Sequence, residues 1–179
     1  MASNAFHVAV DRNKFAGFRR LVYQRIPLEL ELPGLRLTEI NNTAIAAQKS
    51  WMGEGREPPN GGWDWSHWIH ETRRSNHRAF EVAIWQGNEL CGLCLGTPNK
   101  KRLVLRVELI EGSPYTNHPL RGKIAMIALT AAEAYAIVLG SNEVRIMDPV
   151  EGALKSYLKL DYVQQKSSKK EKKYLSKFL

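Results

Sequence analysis

The feature that most constrains this chain lies within residues 102–162, where an alternating strand passes through a proline and an Arg-Gly-Lys turn into a long apolar segment. Residues 124–139 read Ile-Ala-Met-Ile-Ala-Leu-Thr-Ala-Ala-Glu-Ala-Tyr-Ala-Ile-Val-Leu, apolar on nearly every helical face. Such a helix has no solvent face of its own, so it must lie against a sheet and be covered. Pro119 suits its first turn and Gly140 the position just past its end, which predicts about 20 residues and roughly 30 Å of helix. Residues 143–147 then read as a short strand and 150–160 as a second helix. Residues 162–165 and 173–178 read as a terminal hairpin.

Upstream, alternation and turn residues predict the remaining elements. Residues 28–40 hold Leu-Glu-Leu-Glu-Leu, the turn pair Pro33-Gly34 and Leu35-Arg36-Leu37-Thr38, a period of two that reads as one or two strands. Asn41, Asn42 and Thr43 are placed to cap a helix reaching about Met52, and 53–62 is a loop rich in glycine and proline. A further helix starts near Asp64 or Ser66 and runs to about Arg74. Residues 80–85, 90–95 and 103–110 form an antiparallel meander, with its first turn at 86–89. Residues 1–27 read as an N-terminal extension, helical around 14–23 and carrying a basic cluster at Arg19, Arg20 and Arg25. Residues 28–179 are then one domain, of a size for a single buried core.

The net charge of +8 is unevenly spread. Residues 164–179 carry six lysines against one glutamate, contributing +5 and leaving the body at +3. Such a basic C-terminal tail attracts RNA, an anionic cofactor or an acidic protein surface; alternatively its lysines guard an exposed strand edge. Two cysteines, and no apolar signal-peptide core in residues 1–14, predict a reducing, cytoplasmic setting with no membrane span. His67 and His70 with Cys91 and Cys94 make a conceivable zinc set. Cysteines three apart on a strand point to opposite faces, however, so no metal is expected.

The order β, α, α, β, β, β, α, β, α, β, β resembles that of the GNAT superfamily of N-acetyltransferases. The resemblance implies an α/β (α+β) fold: a mixed, mostly antiparallel central sheet flanked by helices. It also implies acetyl-CoA, or another acyl-CoA, as cosubstrate. In that family the turn before the apolar helix reads Gln or Arg, two variable residues, Gly, one variable residue, then Gly or Ala, and its backbone N–H groups cradle the pyrophosphate. Here the run is Pro119-Leu120-Arg121-Gly122-Lys123-Ile124, with Pro119 in place of the first polar residue and Ile124 in place of the second small one. A helix N-terminus supplies unpaired donors and a positive dipole end to such an anion. By this resemblance the cofactor is held by Leu109, Ile110 and Glu111 on the strand and by Arg121, Gly122, Lys123, Ile124 and Ala125 at the turn.

A second match is Ala153-Leu154-Lys155-Ser156-Tyr157-Leu158-Lys159-Leu160-Asp161-Tyr162, which resembles the family's Ala, three residues, Tyr, then Lys-Leu-Gly-Phe. It implies that Tyr157 protonates the departing CoA thiolate, the competing role being a core tyrosine. Val150 stands where family members often place an Asn, and Asp161 replaces the usual Gly. Glu108, thirteen residues before Arg121, is the first candidate for a base that deprotonates the amine, with Glu111 in reserve; an ion pair with Arg106 is the competing role for Glu108. Trp63, Trp65 and Trp68 surround Asp64 and are candidates to stack on the acceptor, or else core residues.

The expected function is N-acetyl transfer from acetyl-CoA to an amine by direct attack. The acceptor is a protein, a small amine or an aminoacyl-tRNA, and the protein a monomer or homodimer. The alternative is a GNAT-fold binding protein without catalysis, holding nucleic acid or a protein on its basic and aromatic surface.

Overall fold

The computed structural model describes the backbone of residues 2–165 and 173–179 and the side chains from residue 11 onward. Seven strands form one sheet: β1 Leu35–Thr38, β2 Phe80–Gln86, β3 Glu89–Pro98, β4 Val104–Gly112, β5 Glu143–Met147, β6 Val163–Gln164 and β7 Tyr174–Phe178. Their spatial order is β1-β2-β3-β4-β5-β7-β6, and every neighbouring pair is antiparallel except β4 and β5. The helices are α1 Ala2–Glu29, α2 Asn42–Gln48, α3 Trp65–Ser75, α4 Ile124–Leu139 and α5 Leu154–Leu158.

The sheet separates two cores. On one face α1 and α4 pack Phe15, Val22, Ile26, Ile127, Ala131 and Tyr135 against Phe80, Val82, Leu105 and Val144. On the other, α2 and α3 bring Ala44, Trp65 and Ile69 onto Trp85, Leu93 and Leu109. Helices α2 and α3 begin at side-chain caps: Asn41 Oδ1 accepts from the Ala44 amide and Asp64 Oδ1 from the His67 amide, each at 3.0 Å. Gly140 ends α4 in the left-handed region at φ 86°, as its position in the sequence predicts.

Residues 2–27 form most of α1, and Phe15, Val22 and Ile26 from it belong to the main core. Several expectations are corrected. Leu28 and Leu30 are not strand: the Leu-Glu-Leu-Glu-Leu alternation ends the helix, and Leu30 N–H donates to the Ile26 carbonyl at 3.0 Å. Both residue types are good helix formers, so an alternating pattern does not stop a helix already packed on α4. Helix α4 starts at Ile124, not near Pro119, because Arg121 N–H turns back to His118 O and Lys123 N–H to Leu120 O.

The two cysteines do not point to opposite faces. Ile84 pairs with Gly92 and Trp85 with Leu90, so Cys91 is the extra residue of a β-bulge, and Cys91 and Cys94 both enter the α1–α4 core. His67 and His70 are exposed on α3, across the sheet. The expected basic tail falls largely on 166–172, outside the described residues. Lys177, which is described, pairs with Glu133 at 3.0 Å. Among the described residues no helix is long and apolar enough to cross a membrane.

Candidate active site in the fork between β4 and β5

Strands β4 and β5 pair only over residues 104–107 and 143–146. Beyond Val107, β4 runs on to Gly112 while β5 stops at Met147, so the two strands part. The edge of β4 that faced β5 is left without a ladder partner, and a cavity of about 510 Å³ opens there. Its walls are residues 107–112 of β4, Ile146 to Val150 at and beyond the end of β5, Ala153 and Tyr157, and a group that includes Arg56 and Trp63 from the loop before α3 and Trp68 on α3 itself.

Glu108 reaches this cavity through a second bulge. Leu95 pairs with Leu109 and Gly96 with Val107, which leaves Glu108 as the extra residue on β4. Its carboxylate accepts from the Thr97 hydroxyl at 3.0 Å and lies 3.8 Å from Arg106 Nε. Across the fork, Tyr157 is 6 % exposed, and burial, with a smaller contribution from the Cys94 thiol, pushes its phenol up to about 12. The hydroxyl therefore keeps its proton at neutral pH and is a donor.

The three tryptophans divide. Trp63 and Trp68 line the cavity, and Trp68 is 41 % exposed. Trp65 is wholly buried and does not line it; its indole N–H donates to Glu111. Glu111 is itself buried, accepting from Gly62 N–H at 2.7 Å and lying 3.6 Å from the Arg56 guanidinium. Its lone pairs are engaged in fastening the 53–62 loop and α3 to the end of β4. Leu109 and Ile110 contribute to the wall beside it.

The turn residues Arg121, Gly122, Lys123 and Ala125 do not line the cavity. Arg121 and Lys123 are exposed, with Arg121 Nη1 donating to Thr116 O at 2.9 Å, and Gly122 takes φ 77° with open space around its Cα. The Ile124 side chain is buried against Gly92 and Gly112. Gly112 ends the cavity wall, so the start of α4 adjoins the fork there. The amides of Ile124, Ala125 and Met126 are first-turn groups with no carbonyl four residues back inside the helix.

Arg56 was not singled out by sequence reasoning. It lines the cavity, donates to Gly112 O at 2.8 Å and faces Glu111. The local signal was Gly61-Gly62: Gly62 has φ 74°, and a Cβ there would stand 2.3 Å from the Arg56 carbonyl oxygen.

In sequence, no protein-family profile and no curated protein matches the chain. In structure, many solved proteins do. The spermidine N-acetyltransferase of Vibrio cholerae, in complex with CoA and spermine, matches with a TM-score of 0.59 and 12% identity, covering 82% of this chain and 96% of that one. The PaiA N-acetyltransferase of Thermoplasma acidophilum, in complex with coenzyme A, matches at TM-score 0.54 and 14% identity over 81% of this chain and 99% of that one. The N-acetyltransferase PseH of Campylobacter jejuni matches at 0.56 and 15% identity over 82% and 99%. With this element order, the parted β4 and β5 and these likenesses, the chain has the fold of the GNAT N-acetyltransferases, in a divergent sequence.

Proposed function

We propose that the protein is an acyl-CoA-dependent N-acetyltransferase that moves an acetyl group from acetyl-CoA to an amine. The observation that carries this reading is the fork cavity, with a bulge carboxylate, Glu108, on one wall and a protonated phenol, Tyr157, on the other.

The residues present fit the cosubstrate. The unladdered edge of β4 at Leu109, Ile110 and Glu111 offers backbone groups for an amide-bearing arm, and the amides of Gly122, Ile124 and Ala125 offer donors for a pyrophosphate. Lys123 and Arg121 add positive charge at the same turn. When bound, acetyl-CoA supplies the acetyl group as a thioester.

Glu108 takes the proton from the attacking amine, directly or through a water. The amine nitrogen forms the new C–N bond as the C–S bond breaks, and Tyr157 gives its proton to the departing sulfur. Most of the acceleration comes from alignment of the two reactants in the fork. Trp63 and Trp68 offer flat faces to the acceptor, whether it is a protein, a small amine or an aminoacyl-tRNA, and the lysines of 166–172 suit the last of these. The setting is cytoplasmic.

The test is calorimetric titration with acetyl-CoA. Micromolar binding that Gly122→Asp abolishes and Tyr157→Phe leaves intact supports the reading. No binding at millimolar ligand overturns it in favour of a GNAT-fold protein that holds nucleic acid or a protein partner.

A further inference from the structure

Away from the fork, three buried side-chain nitrogens lack a hydrogen-bond partner among the described residues and belong to one neighbourhood: Arg19 Nε, His77 Nε2 and Arg78 Nε. Asp11, Phe15 and Arg19 are four apart on α1 and form one ridge. The segment leading from α3 into β2 runs along that ridge. His77 Nε2 lies 4.0 Å from Asp11, and its ring sits 5.6 Å from that of Phe15. The Arg78 guanidinium stands 5.7 Å from the centre of the same Phe15 ring, and Arg19 Nη1 donates to Ala79 O at 3.0 Å. From α4, the Tyr135 hydroxyl donates to the Arg78 carbonyl at 2.8 Å.

Buried donors normally find acceptors; here no hydrogen bond reaches the three nitrogens among the described residues, and the packing offers His77 Nε2 the Asp11 carboxylate at 4.0 Å and the Arg78 guanidinium an aromatic ring in place of one. The surroundings are electropositive. Burial first, then the Arg78 guanidinium and more weakly Arg12, hold His77 below the usual imidazole range, with Asp11 acting in the opposite sense. A tetrahedral oxyanion accepts from several N–H donors at once and is held most strongly by charged ones. None of the three residues lines the fork cavity. Tyr135 lies eleven residues along α4 from Ile124, about 16 Å of helix, so the cluster is also remote from the Arg-Gly-Lys turn.

We infer that Arg19, His77 and Arg78 form a binding site for a phosphate-class oxyanion, separate from the acyl-CoA fork. The phosphate belongs either to a small molecule or to a nucleic-acid backbone. Arginine Nε–H groups and a protonated His77 donate to it, while Asp11 orients the imidazole and limits affinity by its own charge.

The experiment follows the His77 imidazole signal by NMR through a pH titration of the intact protein, in inorganic phosphate and in chloride of equal ionic strength. An anion beside the ring favours imidazolium, so phosphate is expected to raise the His77 pKa by about half a unit or more. Arg19→Gln and Arg78→Gln are expected to lose that response. A parallel titration uses a single-stranded oligonucleotide. The same shift at a lower concentration of phosphate groups assigns the site to a nucleic-acid backbone, and an equal response per phosphate group assigns it to small phosphates. A His77 pKa indifferent to both ligands overturns the inference, as does a full response in both arginine variants. Should either variant fail to fold, the wild-type titration decides alone.

Discussion

The indole of Trp65 donates its N–H to the carboxylate of Glu111, 46 positions along the chain, and the two side chains are buried together. Each was a separate candidate for the site in the sequence; paired, they fasten α3 and its preceding loop to the end of β4. A neutral amide at position 111 keeps one acceptor oxygen but turns an NH2 toward either the Gly62 amide or the Trp65 indole, leaving two donors face to face. Glu111→Gln is therefore expected to cost about 1–3 kcal/mol of stability in urea denaturation. A variant as stable as the parent would remove Glu111 from this structural role.

Glu108 differs because among the described residues only Thr97 donates a short hydrogen bond to it, and a third of its side chain remains exposed. Glu108→Gln is expected to leave the urea midpoint within error and to lower kcat/KM for the acceptor by about 10²-fold, the low end for a lost general base. Acetyl-CoA affinity should stay unchanged. Tyr157→Phe should lower kcat to a similar degree, again with affinity intact. Unaltered turnover in either variant eliminates that residue's proposed role.

Much of the architecture was legible because it rests on local patterns. The β2–β3–β4 meander follows from alternation and its turns, β5 occupies residues 143–147 as expected, and Asn41 and Asp64 declare two helix starts by their side-chain chemistry. What failed depended on contacts distant in sequence. Phe15, Val22, Tyr23 and Ile26 have the spacing of a helix face, yet only packing against α4 and β1 gives that face a partner and carries the helix on through Leu28. The bulges at Cys91 and Glu108 are set by pairing register across strands, which alternation within one strand does not record. The same holds for the site: Tyr157, Trp63, Trp68 and Glu108 line the cavity, whereas Trp65 is removed from it by Glu111.

Gly92 marks where α4 comes down on the sheet. A Cβ there would stand 2.6 Å from Ile124 Cγ2 and 3.1 Å from its Cδ1. Because Cγ2 is fixed to a β-branched carbon, the side chain cannot simply swing aside, and the start of α4 must lift. Gly92→Ala is expected to cost about 1–3 kcal/mol and to weaken acetyl-CoA binding through the displaced turn. In an Ile124→Ala background the same substitution should cost much less, as shown by a double-mutant cycle. Strict additivity would contradict this account.

Stability is expected to decline at alkaline pH. Burial is the main cause that raises the phenols of Tyr135 and Tyr157 to about 12. Below pH 10 both the folded and the unfolded chain keep these protons, so the stabilising contribution is complete. Between about 10 and 12 the unfolded chain releases them and the folded chain does not, so each phenol lowers stability by about 1.4 kcal/mol per pH unit. Urea midpoints measured from pH 8 to 11 should be level at first and then fall above 10. Tyr135→Phe should make that fall shallower, while losing the hydroxyl that bonds the Arg78 carbonyl. A midpoint that does not move between pH 9 and 11 would mean that water reaches these phenols in the folded protein.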